Sequence, residues 1–248
     1  MYNPFTLNEK TILITGASGG IGQSVAIECS KFGARLVITG RNKERLNETY
    51  NNLDGSNHIQ IQADLSKKNE IDDLVDNLPE LNGVCHCAGI TNPVPVKFID
   101  QEKLDEIFSV NFFSAIIITK EIIKRKLLQR EASIVFISSI SGVHVSSPGG
   151  TLYSATKGAI NGAVKGIALD LAGRGIRVNS ICPGMIKTKL ITDGVLSEED
   201  IDRDLKKYPL KRYGNPEEVA YAVIYLLSDT SKWITGTNLT IDGGYTLS

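Results

Sequence analysis

Tyr153 and Lys157 stand four residues apart in a segment of helical periodicity, so both side chains fall on one helix face about a turn apart. A phenol whose pKa is about 10 exchanges protons poorly at neutral pH. A neighbouring ammonium favours the phenolate and makes Tyr153 a usable general acid. Tyr-x-x-x-Lys also arises by chance on amphipathic surface helices, so the pair needs context. Ser138-Ser139-Ile140-Ser141-Gly142 supplies it. This cluster closes a β-branched run, where a serine hydroxyl can hold a reacting carbonyl oxygen. Alone it would be an ordinary Gly/Ser turn. Together the three side chains describe a site that protonates and steadies a carbonyl oxygen.

A second group lies near the amino end. Thr15-Gly16-Ala17-Ser18-Gly19-Gly20-Ile21-Gly22 follows an apolar run and opens a helical one. Glycines let the backbone turn tightly and approach a pyrophosphate, which a helix N-terminus favours through its free N–H groups and dipole. Gly16, Ser18, Gly19, Gly20, Ile21 and Gly22 are therefore candidate dinucleotide contacts. After the second strand, Thr39-Gly40-Arg41-Asn42 has no acid to hold a ribose 2′-hydroxyl. Arg41 can instead pair with a 2′-phosphate, which points to NADP(H) over NAD. The alternative is a solvated arginine starting the next helix. Asp64 after the third strand can accept from an adenine amino group, or cap the helix expected near Lys67.

These groups need a scaffold that brings strand ends to one edge. Strands are expected at Thr11–Thr15, Arg35–Thr39, Ile59–Ala63, Gly83–Cys87, Ser133–Ile137, Arg177–Ile181 and Leu239–Ile241. Ile21, Val25 and Cys29 recur at helical spacing between the first two, before Gly33-Ala34 ends that helix. Further helices are expected at Lys43–Asn52, Lys67–Leu78, Gln101–Gln129 in two pieces, Tyr153–Gly173, Ser197–Lys207 and Pro216–Ser228. The pattern is α/β: a single doubly wound Rossmann-type domain over residues 1–248, with a seven-stranded parallel sheet and helices on both faces. Residues 188–209 read either as a surface excursion or as a substrate lid.

With 248 residues, 42% of them apolar, the chain can bury one large core. Its net charge of −1 comes from interspersed acids and bases, which argues against nucleic acid and anionic membrane as partners. No apolar run reaches membrane-spanning length and the amino end has no targeting pattern, so a cytoplasmic protein is expected. Cys29, Cys85, Cys87 and Cys182 lack paired metal-ligand spacing and read as buried thiols. Strand alternation sets His86 on the face opposite Cys85 and Cys87, so no metal site is expected.

Taken together, Thr15-Gly16-x-x-x-Gly20-x-Gly22, Val110-Asn111-Phe112, Ser139-x-x-Gly142, Tyr153-x-x-x-Lys157, Pro183-Gly184 and Ile241-Asp242-Gly243-Gly244 resemble the short-chain dehydrogenase/reductase family nearly end to end. The resemblance implies a catalytic tetrad of Asn111, Ser139, Tyr153 and Lys157. In it Tyr153 donates the proton and Ser139 binds the substrate oxygen. Lys157 holds the nicotinamide ribose and lowers the tyrosine pKa, helped by an oxidised nicotinamide, and Asn111 holds a relay water. It further implies cofactor contacts from Asp64, Leu65, Ala88, Gly89, Asn111, Tyr153, Lys157, Pro183, Gly184, Ile186 and Thr188, and agrees with the lid reading. His86-Cys87 stands where the family usually has two asparagines, a departure expected to weaken bonding between strands. Gly19 departs from the basic residue that NADP-binding members often carry, so NADP rests on Arg41.

Among family members, 3-oxoacyl-acyl-carrier-protein reductases of fatty acid biosynthesis are the nearest in pattern, through chain length and the run Pro209–Ala220. Their resemblance implies a carrier-borne ketone substrate, acyl carrier protein as a partner docking on Arg130 and Arg174, and a homotetramer. The two arginines read equally well as solvated cations at helix ends. A reductase or dehydrogenase of a sugar, polyol or other small ketone shares the frame, and a non-catalytic nucleotide-sensing protein is a further alternative. His144 either faces substrate or is an exposed loop residue. The tetramer would use the two long helices Phe112–Gln129 and Tyr153–Gly173 and the carboxyl-terminal strand region, with Ile116, Ile117, Ile122 and Ile123 on one helix and Gly158, Gly162, Ala163 and Gly166 on the other, although the same residues read equally as packing against the sheet.

Overall fold

The computed structural model describes residues 3–188 and 198–247. Seven parallel strands, β1 (Thr11–Thr15), β2 (Arg35–Gly40), β3 (Ile59–Gln62), β4 (Leu81–His86), β5 (Leu128–Ile137), β6 (Arg177–Pro183) and β7 (Asn238–Ile241), lie in the order β3-β2-β1-β4-β5-β6-β7. Helices are α1 (Gly20–Lys31), α2 (Lys43–Asn51), α3 (Lys68–Asp76), α4 (Gln101–Phe108), α5 (Ser114–Lys124), α6 (Thr151–Leu171), α7 (Glu198–Leu205) and α8 (Pro216–Leu227). The order reverses between β1 and β4, which opens a ligand crevice at the carboxyl edge there.

Both sheet faces are buried, and strand alternation assigns each residue to its layer. Leu13, Val37, Val84, Ile134, Phe136 and Val178 face α3, α5 and α6. Ile12, Ile14, Leu36, Ile38, Cys85 and Val135 face α1, α2 and α8. Such two-sided burial explains why the strands read as continuous apolar runs. Asn42 caps α2 by accepting from the Arg45 amide, Asp100 caps α4 by accepting from the Lys103 amide, and Asn215 with Glu218 forms a capping box on α8, whose first position is Pro216.

Some expected boundaries move. β4 ends at His86, because the Cys87 and Ala88 amides leave the ladder and donate to Thr15 Oγ1, each at 3.2 Å. The expected span Gln101–Gln129 divides into α4, a π-helical turn at Ser109–Phe113 and α5, and Leu128-Gln129 belong to β5. The π turn coincides with the Ser114 hydroxyl donating back to Val110 O at 2.7 Å. Past α5, Lys126 turns to φ 59°, which redirects the chain into β5. Residues 189–197 of the expected lid lie outside the described residues, whereas α7 supplies its later helix. No described helix is long and apolar enough to cross a membrane.

Candidate active site

Ser139 follows β5, and Tyr153 and Lys157 occupy the first turns of α6, so all three meet at the carboxyl edge of the sheet. What docks α6 there is Gly142. Its φ is +84°, and a Cβ on it would stand 2.1 Å from Ser154 O and 2.8 Å from Gly158 N. No larger residue permits that approach. Ser138 Oγ adds a hydrogen bond to Lys157 O at 3.1 Å.

Tyr153 and Ser139 hydrogen-bond through their side chains, and Ser139 Oγ also accepts from Ser141 N at 3.1 Å. The Lys157 ammonium lies 5.5 Å from the Tyr153 ring centroid and donates to Ile137 O at 2.8 Å. Lys157 is 4% exposed. Burial pulls its amine down from 10.5 to about 8, with the nearby Cys87 and Cys182 thiols working the other way. One expectation is corrected here. Burial pushes the Tyr153 phenol up, against the opposing hydrogen bond from Ser139, so without a bound cofactor the ammonium does not lower it.

Asn111 sits in the π turn, 1% exposed, and its side chain is committed. The amide nitrogen donates to Ile90 O and Thr156 Oγ1, and Oδ1 accepts from Ile90 N at 2.7 Å. It clamps the segment after Gly89. Thr156 in turn donates to Tyr153 O at 2.7 Å, which ties Asn111 to the catalytic turn. Thr156 and Thr15 are the residues whose contribution the sequence reading missed. Both lie inside quoted motifs, yet a threonine bonding to backbone leaves no mark in spacing.

At the neighbouring strand ends, Gly16 has φ +67°, and a Cβ on it would lie 2.7 Å from both Ala88 Cα and Ala88 N. The glycine turn therefore packs directly on the segment after β4. No side chain caps α1 at Gly19, and nothing lies within 4 Å of a Cβ placed there. Open amides beside free space fit a pyrophosphate. Thr188 approaches from the far side, its methyl 3.5 Å from a Cβ on Gly20. Ser18 Oγ stands 2.9 Å from a Cβ on Gly40, which brings the glycine turn beside Arg41.

Asp64 accepts from the amide and hydroxyl of Ser66 and caps no helix, because Lys67 occupies that position on α3. Although its partial burial works the other way, the Ser66 bonds and the charges of Lys67 and Arg41 hold its carboxyl below the ordinary range. Arg41 and Asp64 thus share one rim. Leu65 and Ile186 are buried in the two cores, so only their backbones are left for a ligand. Pro183-Gly184 packs on the terminal motif, where a Cβ on Gly184 would lie 3.0 Å from Asp242 Cα.

His86 faces away from both thiols. It stacks on Phe136 at 4.8 Å, its Nε2 pairs with Thr119 Oγ1 at 2.9 Å, and burial lowers its pKa to about 3. Its bond thus goes to α5, and Thr15 holds the following backbone. His144 lines a cavity of about 400 Å³ with Val145, Lys207, Tyr245 and Thr246. Arg130 and Arg174 do not join the site. Both lie toward the amino edge of the sheet, where Arg174 bonds Leu128 O and β5 bulges, and from the end of that bulge at Ser133 the six residues to Ser139 alone span roughly 20 Å. Ile122 is 1% exposed in the core and cannot serve an intersubunit face, whereas Gly162 and Gly166 are open.

A family model described as enoyl-(acyl carrier protein) reductase matches residues 16–246. A 3-oxoacyl-[acyl-carrier-protein] reductase of Rickettsia felis is 37% identical over 96% of this chain and 97% of its own. Another of that name from Thermotoga maritima is 32% identical over 96% and 98%. Among solved structures, a short-chain dehydrogenase/reductase from Serratia marcescens superposes with a TM-score of 0.90 at 27% identity, covering 98% of this chain and 100% of that one.

Proposed function

Because this chain belongs to the short-chain dehydrogenase/reductase family of nicotinamide-dependent oxidoreductases, we propose that it reduces the ketone of a 3-oxoacyl thioester to the 3-hydroxyacyl form with NADPH. The observation that carries this reading is the meeting of Ser139, Tyr153 and Lys157 at one strand edge, with the lysine buried and its amine brought down to about 8. When bound, the dinucleotide supplies the hydride. Ser139 Oγ holds the substrate oxygen, and Tyr153 passes its phenolic proton to that oxygen as charge develops. A phenol pushed up by burial is fully protonated at neutral pH and ready to donate. Lys157 faces it and, in its charged form, steadies the phenolate left behind.

Gly16, Ser18, Gly19, Gly20, Ile21 and Gly22 would hold the pyrophosphate, and Arg41 the 2′-phosphate. Ala88, Gly89, Asp64 and Leu65 would border the adenosine, and Pro183, Gly184, Ile186 and Thr188 the nicotinamide. The whole chain acts as one domain, with α7 forming part of a cover over the substrate. The match with 3-oxoacyl-carrier-protein reductases supports a carrier-borne substrate. If Arg130 and Arg174 dock that carrier, they do so away from their own site, an arrangement compatible with a homotetramer built through α5 and α6 in which a neighbouring active site opens beside them.

The test is the rate of NADPH and NADH oxidation in parallel with an acetoacetyl thioester. Turnover favouring NADPH supports the reading. Tight NADPH binding without turnover on any 3-oxoacyl thioester refutes the substrate class.

A further inference from the structure

Cys85 and Cys87 carry a pairing that the proposed reaction does not use. They are residues i and i+2 at the end of β4, pointing to one face, with their sulfurs 3.3 Å apart. Positions two apart in extended backbone have Cα atoms about 6.6 Å from one another, at the upper end of the range for disulfides, and their parallel Cβ atoms stand farther apart than the roughly 4.5 Å a disulfide allows. Bond formation therefore needs the backbone to move as well as the sulfurs to close by about 1.3 Å. The two ends are held unequally. Cys85 is fully buried and paired in register with both Ile14 and Val135, whereas Cys87 is half-buried and lies past the ladder, its amide held only by Thr15 Oγ1.

We propose that Cys85 and Cys87 form a peroxide-oxidised dithiol that controls dinucleotide binding. The inference rests on the reading of this edge as the cofactor site. The peroxide oxygen bond is cleaved as Cys87 becomes a sulfenic acid and one water leaves. The Cys85 thiol then attacks that sulfur, the S–S bond forms, and the sulfenic oxygen departs as a second water. Two electrons pass from the two thiols to one peroxide. Since β1 and β5 hold Cys85, the movement falls on Cys87 and Ala88.

That movement has nowhere to go without cost. Gly16 already packs so closely that even a methyl there would meet Ala88 at 2.7 Å and Cys87 C at 3.0 Å. A shift of the Cys87-Ala88 backbone therefore displaces the first glycine of the pyrophosphate turn. It also moves Gly89, which a Cβ would bring to 3.6 Å from Lys157 Nζ. A cytosolic disulfide of this kind is expected to be transient and reversible.

The test treats the reduced full-length protein briefly with hydrogen peroxide, alkylates free thiols, and measures the mass of the peptide carrying both cysteines alongside an NADPH titration. The expected result is an unalkylated peptide lighter by two hydrogen atoms and an NADPH affinity lower by about tenfold or more, both restored by dithiothreitol. Cys85→Ala and Cys85→Val, which touch no cofactor contact, must lose the cross-link. Two alkylatable thiols after peroxide, or the same mass loss in those variants, overturns the assignment. A cross-linked protein with unchanged NADPH affinity overturns the control. Reduced protein that binds neither NADPH nor NADH overturns the cofactor reading, and the control with it.

Discussion

Lys157→Met should abolish turnover with NADPH yet leave the cofactor-free protein relatively more stable at neutral pH. The wild-type ammonium is buried, which brings its pKa from 10.5 to about 8. Between these values the unfolded chain carries a proton that the folded chain lacks, so stability rises with pH across that window. Below pH 8 both states are charged and the full penalty, about 3 kcal/mol, falls on the folded state. By about pH 9.5 linkage leaves a penalty of about 1.4 kcal/mol. Methionine fills similar volume without titrating. It also leaves Ile137 O without its 2.8 Å partner, a loss that does not depend on pH and cancels when two pH values are compared. Urea unfolding of both proteins at equal concentration, near pH 7 and near pH 9.5, should therefore show the variant gaining about 2 kcal/mol on wild type at the lower pH. An offset that is the same at both pH values would refute the claim that burial depresses this amine.

Tyr153→Phe should lower kcat/KM by about 1,000-fold while NADPH affinity stays within about threefold, read by steady-state kinetics and fluorescence titration. Arg41→Ala should weaken NADPH binding by about tenfold or more and leave NADH binding unchanged, because only the former carries the 2′-phosphate. Gly142→Ala places a Cβ 2.1 Å from Ser154 O at φ +84°, so thermal unfolding should show a loss of about 2 kcal/mol or more and kcat should fall with it.

Much of this architecture is legible in the chain because each strand is buried on both faces. Continuous runs such as Thr11–Thr15 match β1 residue for residue. The helix bearing Tyr153 and Lys157 is read from a four-residue spacing, which survives into α6. Boundaries set by single hydrogen bonds are harder. Nothing in the run to Cys87 announces that Thr15 takes its amide, or that Ser114 bonds Val110 within a π turn. The pKa of Tyr153 depends on desolvation by the assembled fold, and a helical spacing carries only its nearness to Lys157. Arg130 and Arg174 show the same limit. Resemblance pairs them with docking of a carrier that feeds the site, but strand direction sends both toward the opposite edge of their own sheet.

The most direct test of the central claim is the fate of a deuterium label placed on the reactive C4 position of NADPH. Incubated with an acetoacetyl thioester, the protein should yield a 3-hydroxybutyryl thioester carrying one carbon-bound deuterium for each NADPH consumed, with the hydroxyl proton drawn from solvent. Product without carbon-bound deuterium would contradict hydride delivery to a carbonyl at the Ser139, Tyr153 and Lys157 site.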